Sequence, residues 1–102
     1  MILEVADIRV EPERANAFEQ AVHEGIATVI AKSQGYERYE LRRGIESPGR
    51  YLLLIHWATL EDHTEGFRKG PGYAPWRAIV GPFFAQPPMV EHFEVAPPSN
   101  AL

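Results

Sequence analysis

The segment Arg50 to Ala58, RYLLLIHWA, is the most apolar stretch of the chain, and it is apolar on both faces. Side chains alternate along a strand, so Leu52 and Leu54 point one way while Leu53, Ile55 and Trp57 point the other. A strand of this kind must be covered on both sides, because a sheet-sized apolar patch left in water is an aggregation liability. The fold therefore has to supply two covers to one sheet.

The flanking sequence supplies the first. Residues 2 to 10 are rich in Ile, Leu and Val and end at Glu11-Pro12, where proline stops a strand ladder but fits the first turn of a helix. From Pro12 to Ser33, the apolar residues Ala15, Phe18, Val22, Ile26, Val29 and Ile30 recur at spacings of three and four, one stripe of an amphipathic helix that Gly35 terminates. Tyr36 to Arg43 is a half-polar strand joined through the turn-forming GIESPG segment to Arg50–Ala58, so the two form a hairpin. Thr59 with Asp62 three residues on resembles a capping box opening a second helix, with Leu60, His63 and Phe67 on its apolar side. Gly70-Pro71-Gly72 breaks that helix, Tyr73–Val80 reads as a further short helical turn, and Met89–Val95 is the last strand. Residues 1–96 make one domain, and residues 97–102, with Pro97-Pro98, read as a flexible tail.

The order is βαββαβ. Two right-handed β-α-β units place both helices on one face of a four-stranded antiparallel sheet, the α+β ferredoxin-like arrangement. The other face stays open, and a second copy of the same sheet is the economical cover, so the chain is expected to work as a homodimer. The competing cover is the chain's own aromatic connector, Tyr73 to Phe84, folded back over the sheet.

Composition narrows the partners. A domain of 102 residues buries only about 60 to 70% of its unfolded surface, so association helps it. With a formal charge of −4 and no basic run, nucleic acid is an unsuitable partner. The absence of cysteine closes disulfide, thiolate-metal and cysteine-nucleophile chemistry. The start MILEVADIRV lacks the basic and apolar regions of a secretory signal, which suggests a cytoplasmic protein. The longest apolar run, Leu52 to Ile55, is far below the ~20 residues of a membrane helix.

A family likeness runs through Tyr51-Leu-Leu-Leu-Ile-His-Trp57, Thr59-Leu-Glu-Asp-His63, Tyr73, Trp76 and Pro88-Met-Val-Glu-His92-Phe93. The pattern is a tryptophan closing the third strand, a histidine on the following helix, an aromatic in the connector and a proline-led last strand. It resembles the antibiotic biosynthesis monooxygenase (ABM) domain over nearly the whole chain. That resemblance implies a dimeric α/β barrel with a cavity between each sheet and its helices. It also implies oxidation of electron-rich phenolic or anthrone-like compounds by molecular oxygen, with neither metal nor flavin as cofactor. In such domains an acidic residue often stands two positions before the strand-three tryptophan, and here that place is Ile55. The haem-degrading branch of the fold uses an asparagine, a tryptophan and a histidine where this chain has Asp7, Phe67 and Trp76-Arg77, which disfavours haem degradation.

For chemistry of this kind the protein must supply an apolar chamber, a base and orientation, since the deprotonated substrate is itself the electron donor. Histidine is the natural base, with an unperturbed pKa of ~6.5. His63, between Leu60 and Phe67, faces the sheet either as a ligand-facing base or as a core histidine bonded to backbone. His56 is the second candidate, although it has the parity of Leu52 and Leu54 and cannot share one cavity with Trp57. His92 shares a half-polar row with Val90 and Glu94, and His23 reads as surface. Trp57, Phe67, Tyr73, Trp76, Phe83 and Phe84 are the candidate walls for a planar aromatic ligand, with core packing the stronger reading for Trp57 and Phe67. Arg42, Arg77 and Asp7 are candidates to orient or ionise a hydroxyl group. No His-x-His or His-x-x-x-His spacing points to a metal, and the serines lack a nucleophile-elbow pattern. The same scaffold also hosts isomerases, decarboxylases and non-catalytic binding proteins, so fold alone does not choose the activity.

Overall fold

A computed structural model describes residues 1–98; the part of the expected tail at residues 99–102 lies outside the described residues. The strands are β1 (Ile2–Arg9), β2 (Tyr36–Arg43), β3 (Arg50–Trp57) and β4 (Met89–Glu94), all antiparallel in the order β2-β3-β1-β4. This is the ferredoxin-like α+β sheet expected from the strand and helix order. Within one chain it is open, with β2 and β4 at its edges.

Helix α1 (Ala15–Thr28) buries Phe18, Val22, Gly25 and Ile26 against the sheet. It is shorter than the single helix expected over residues 12–33. Pro12–Arg14 and Ile30–Lys32 are 3-10 turns at its two ends, where the tighter winding satisfies terminal backbone groups. Gly35 follows at φ 85°, the left-handed conformation its position required, and its carbonyl accepts the Ala58 N–H at 2.7 Å.

The second crossover departs further from expectation. The Thr59 hydroxyl accepts the Asp62 N–H at 3.1 Å, as a capping residue should, but the turn that follows, Asp62–Phe67, is a π-helix. Its wider winding shows in the Arg68 N–H, which donates to the His63 carbonyl five residues back at 2.9 Å. The altered period turns His63 and Phe67 onto the sheet and leaves Leu60, expected beside them, 38% exposed. The helix that packs on α1 is instead α2 (Tyr73–Val80), two full turns where a short turn was expected. Pro75 lies in its first turn, where a missing N–H leaves no bond unmade.

Strand β3 shows the two-faced pattern directly. Tyr51, Leu53, Ile55 and Trp57 are at most 2% exposed beneath the helices, while Leu52, Leu54 and His56 lie half-buried on the opposite face. Each full burial of a large apolar side chain contributes about 1.5–3 kcal/mol, so this strand anchors the core. On the open face Leu52 and Leu54 join half-buried Leu3 and Val5, with Met89 67% and Phe93 50% exposed beside them. Among the described residues no helix is long and apolar enough to cross a membrane.

Candidate active site

Between the helix-covered face of the sheet and the second crossover lies a cavity of about 260 Å³. Ala6 and Ile8 of β1 with Leu53 and Ile55 of β3 form its apolar floor, and Phe67, Tyr73, Trp76 and Phe84 form aromatic walls. Glu4, His63, Arg68 and Arg77 supply the polar groups. A concave, mainly apolar space with a few convergent polar groups is what a small-molecule site requires. Trp76 reaches its place by packing closely on α1 at Gly25, where even a methyl group would come within 2.7 Å of the indole.

Glu4 is the unexpected member. It has the parity of Ala6 and Ile8, which makes it a carboxyl group pointing into the core, 7% exposed. Trp57, buried at the end of β3, donates its Nε1–H to Glu4 Oε1 at 3.0 Å. His63 Nε2 lies 3.3 Å from the same oxygen, and its other ring nitrogen, Nδ1, is 2.7 Å from Nε2 of His92. The His63 ring stacks on Trp57, with centroids 5.3 Å apart and planes 23° apart, and on Phe67 at 6.1 Å and 21°. Two aromatic planes therefore fix the imidazole, while His92 hydrogen-bonds one edge and the Glu4 carboxyl lies close to the other.

Burial sets the charge states here. Removal from water pushes the Glu4 carboxyl up to about 7, against the smaller opposing effects of the Trp57 N–H and the Arg68 charge. Burial pulls His63 down to about 4, helped by the positive charge of Arg68 and by His92. His92 is lowered in the same way, by burial and then by Arg68. Near neutral pH the cluster thus holds neutral imidazoles beside a carboxyl poised between its two forms, the condition in which a group serves as acid or base. Among the described residues no group of three or more His, Asp or Glu side chains is placed to hold a metal ion.

Of the residues singled out from the sequence, the fold brings together His63, Phe67, Tyr73 and Trp76 on the cavity. Trp57 stands behind the cavity wall and acts on Glu4 through its indole N–H. Arg77 sits at the rim, donating to the Tyr73 hydroxyl at 3.2 Å and lying over the Phe84 ring. His56 and Arg42 are on the opposite face: His56 Nδ1 is 3.3 Å from Met1 Sδ, and Arg42 pairs with Glu40 at 2.7 Å. Asp7 is on that face too, held by Arg50 at 2.7 Å.

Sequence reasoning missed Glu4, His92 and Arg68. For Glu4 a signal existed, an acidic residue in register with Ala6, Ile8 and Val10 on the core side of β1. His92 and Arg68 carried no such signal, because their roles depend on which face β4 turns inward and on the π-helical winding.

Comparison with known proteins follows the same lines. Residues 1–79 match the model of the family Antibiotic biosynthesis monooxygenase, a match that ends within α2 and before His92. The uncharacterized protein YczJ of Bacillus subtilis is 38% identical over 94 residues, 92% of this chain and 98% of that protein. A Bordetella bronchiseptica structure classed with the antibiotic biosynthesis monooxygenases superposes with a TM-score of 0.87 at 36% identity, over 93% of this chain and 96% of that one. One from Caulobacter crescentus, classed the same way, gives 0.78 at 26% identity, over 94% and 90% of the two chains. The sheet order, the cavity beneath two crossover helices and these similarities agree, and the chain belongs to the antibiotic biosynthesis monooxygenase family.

Proposed function

We propose that this protein is a monooxygenase that oxidises a small, planar, electron-rich aromatic compound of the quinol or anthrone type with molecular oxygen. The observation that carries this reading is the enclosed acid–base pair Glu4–His63 on a cavity walled by Phe67, Tyr73 and Trp76. An anthrone-like ring would lie between the aromatic walls, and the pair would take its acidic proton. The resulting anion is the electron donor, so the reaction as read here calls on no added reductant. A ring methylene becomes a carbonyl: its two hydrogens and four electrons pass to dioxygen, one oxygen atom stays on carbon and the other leaves as water. Exclusion of water protects the anion from simple reprotonation.

A homodimer is part of the same reading. The apolar set Leu3, Val5, Leu52, Leu54, Met89 and Phe93 covers the open side of the sheet, with charged residues of both signs around it, Arg42 and Glu40 on β2 and Asp7 and Arg50 across β1 and β3. A second copy presents the same set and closes the face isologously. In that arrangement His56 and Arg42 belong to the interface rather than to the cavity.

Oxygen uptake with a panel of quinols and anthrones tests the reading. We expect protein-dependent uptake with at least one compound, and a fall of about 10²-fold or more in Glu4→Gln and His63→Ala, the scale of a positioned proton-transfer group. Saturable binding of panel compounds with no uptake from any of them would make the protein a binder instead.

A further inference from the structure

The cavity poses a problem of proton supply. Glu4 is 7% and His63 3% exposed, so direct exchange of the carboxyl proton with bulk water is restricted to what the cavity admits. His92 offers the way out. It lies on β4, an edge strand, directly beside Glu4 in the β1–β4 ladder, and it is half-buried rather than enclosed. His63 hangs over both neighbours from the π-helical turn, with Nδ1 hydrogen-bonded to His92 at 2.7 Å and Nε2 within 3.3 Å of a Glu4 carboxyl oxygen, close enough for a small rotation of the ring to join them.

We propose that His63 and His92 form a proton relay through which the buried Glu4 carboxyl exchanges its proton with solvent, leaving Glu4 as the group that meets the substrate. The inference rests on the cavity reading above and divides the roles within it. In one passage outward, the carboxyl O–H proton moves to His63 Nε2 as the Nδ1 proton of His63 moves to His92 Nε2. The Nδ1 proton of His92 then leaves to water. One proton departs, both imidazoles remain neutral and each has exchanged one tautomer for the other. Entry is the same passage in reverse.

The surroundings favour this neutral course. Trp57, from β3, offers an N–H that steadies the carboxylate once formed. Arg68, following the π-helical turn, adds a positive charge that opposes an imidazolium on either histidine and supports the carboxylate. From α2 the facing groups are Arg77, a second positive charge at the rim, and the neutral Tyr73 hydroxyl.

The test uses the whole chain with 15N-labelled histidine, whose ring shifts distinguish the two tautomers, and 13C-labelled glutamate. We expect the His63 and His92 rings to switch tautomer across a single pH step that coincides with the Glu4 carboxyl titration. Glu4→Gln should remove that step from both rings. His92→Phe, and His92→Gln as a second variant that keeps a polar group, should slow proton exchange at the Glu4 carboxyl by roughly a hundredfold, the lower end for a positioned proton-transfer group. A His92 ring that titrates alike in the wild type and in Glu4→Gln would overturn the relay, as would unchanged carboxyl exchange in both His92 variants. No substrate is needed for these readings. A panel without oxygen uptake therefore counts against the monooxygenase reading alone, and independent ring titrations count against the relay alone.

Discussion

Glu4 stands directly opposite Ile55 in the β1–β3 ladder, with His92 on its other side in the β1–β4 ladder. Directly opposed side chains project about 5 Å apart on the same face of a sheet, so the neighbouring strand brings a carboxyl group to the place where Ile55 lacks one. Trp57, two residues beyond Ile55, lies within diagonal reach and donates its indole N–H to that carboxyl. The strand-three tryptophan thus has a carboxyl partner from the neighbouring strand, although no acid stands two positions before it along its own.

This pairing makes the role of Trp57 separable from simple packing. Trp57→Phe keeps an aromatic ring but removes the one side-chain hydrogen-bond donor that lowers the Glu4 pKa. We expect a loss of about 2 kcal/mol in chemical denaturation, from the lost hydrogen bond together with the volume removed. The Glu4 titration, followed by carboxyl 13C shifts, should move further up.

Opposing proton linkages give a second expectation. Glu4 is raised from 4.5 to about 7, so its contribution to stability is present below pH 4.5 and is lost as pH rises through 7. His63 is lowered from 6.5 to about 4, so its contribution is present above pH 6.5 and is lost as pH falls through 4. Between roughly pH 4.5 and 6.5 the two slopes offset each other, leaving the rise that His92 adds in the His63 direction. Unfolding free energies measured across that range should therefore climb more steeply with pH in Glu4→Gln than in the wild type. In His63→Gln the Glu4 contribution is no longer offset and the curve should bend downward toward pH 7, each change amounting to roughly 3 kcal/mol at most.

Gly25 offers a test of how the cavity wall is held. Alanine is worth about 1 kcal/mol more than glycine within a helix, yet here its Cβ would lie 2.7 Å from the Trp76 ring. A rigid indole packed against a helix yields poorly, and overpacking of this kind costs about 1–3 kcal/mol. Gly25→Ala should be destabilised by about 1 kcal/mol in thermal unfolding and should shift the Trp76 fluorescence. Equal or greater stability with unchanged emission would show that the wall is looser than the packing implies.

The open face is probed by Leu54→Glu. A carboxylate placed among Leu3, Val5 and Leu52 would be desolvated in a dimer but hydrated in a monomer. Sedimentation at micromolar concentration should show the wild type as a dimer and this variant as a folded monomer. A wild type that sediments as a monomer would remove the homodimer from the proposal.

Much of the architecture was legible because strand periodicity and turn chemistry are local. The β3 alternation, the glycine at Gly35 and the proline at Pro12 placed the strands and the first helix within a few residues. The second crossover was less legible, since a π-helical turn is chosen by what its side chains touch. The spacing of Leu60, His63 and Phe67 suits an ordinary helix, and only contact of His63 and Phe67 with Trp57 shows why the wider winding prevails.

The site divides in the same way. His63, Tyr73 and Trp76 were recognisable because they sit beside helix breaks and apolar stripes, whereas His56 drew notice as a histidine next to Trp57 and Arg42 as a charge able to orient a hydroxyl, and both lie on the other face of the sheet. What the chain determined by itself was a sheet apolar on two sides with crossover helices on one of them, since side-chain alternation follows from backbone geometry alone. Only the tertiary structure decided that Glu4, Trp57, His63 and His92, far apart in sequence, meet in one polar cluster. Their meeting depends on strand register and on one wide helical turn, and neither is encoded in any single segment.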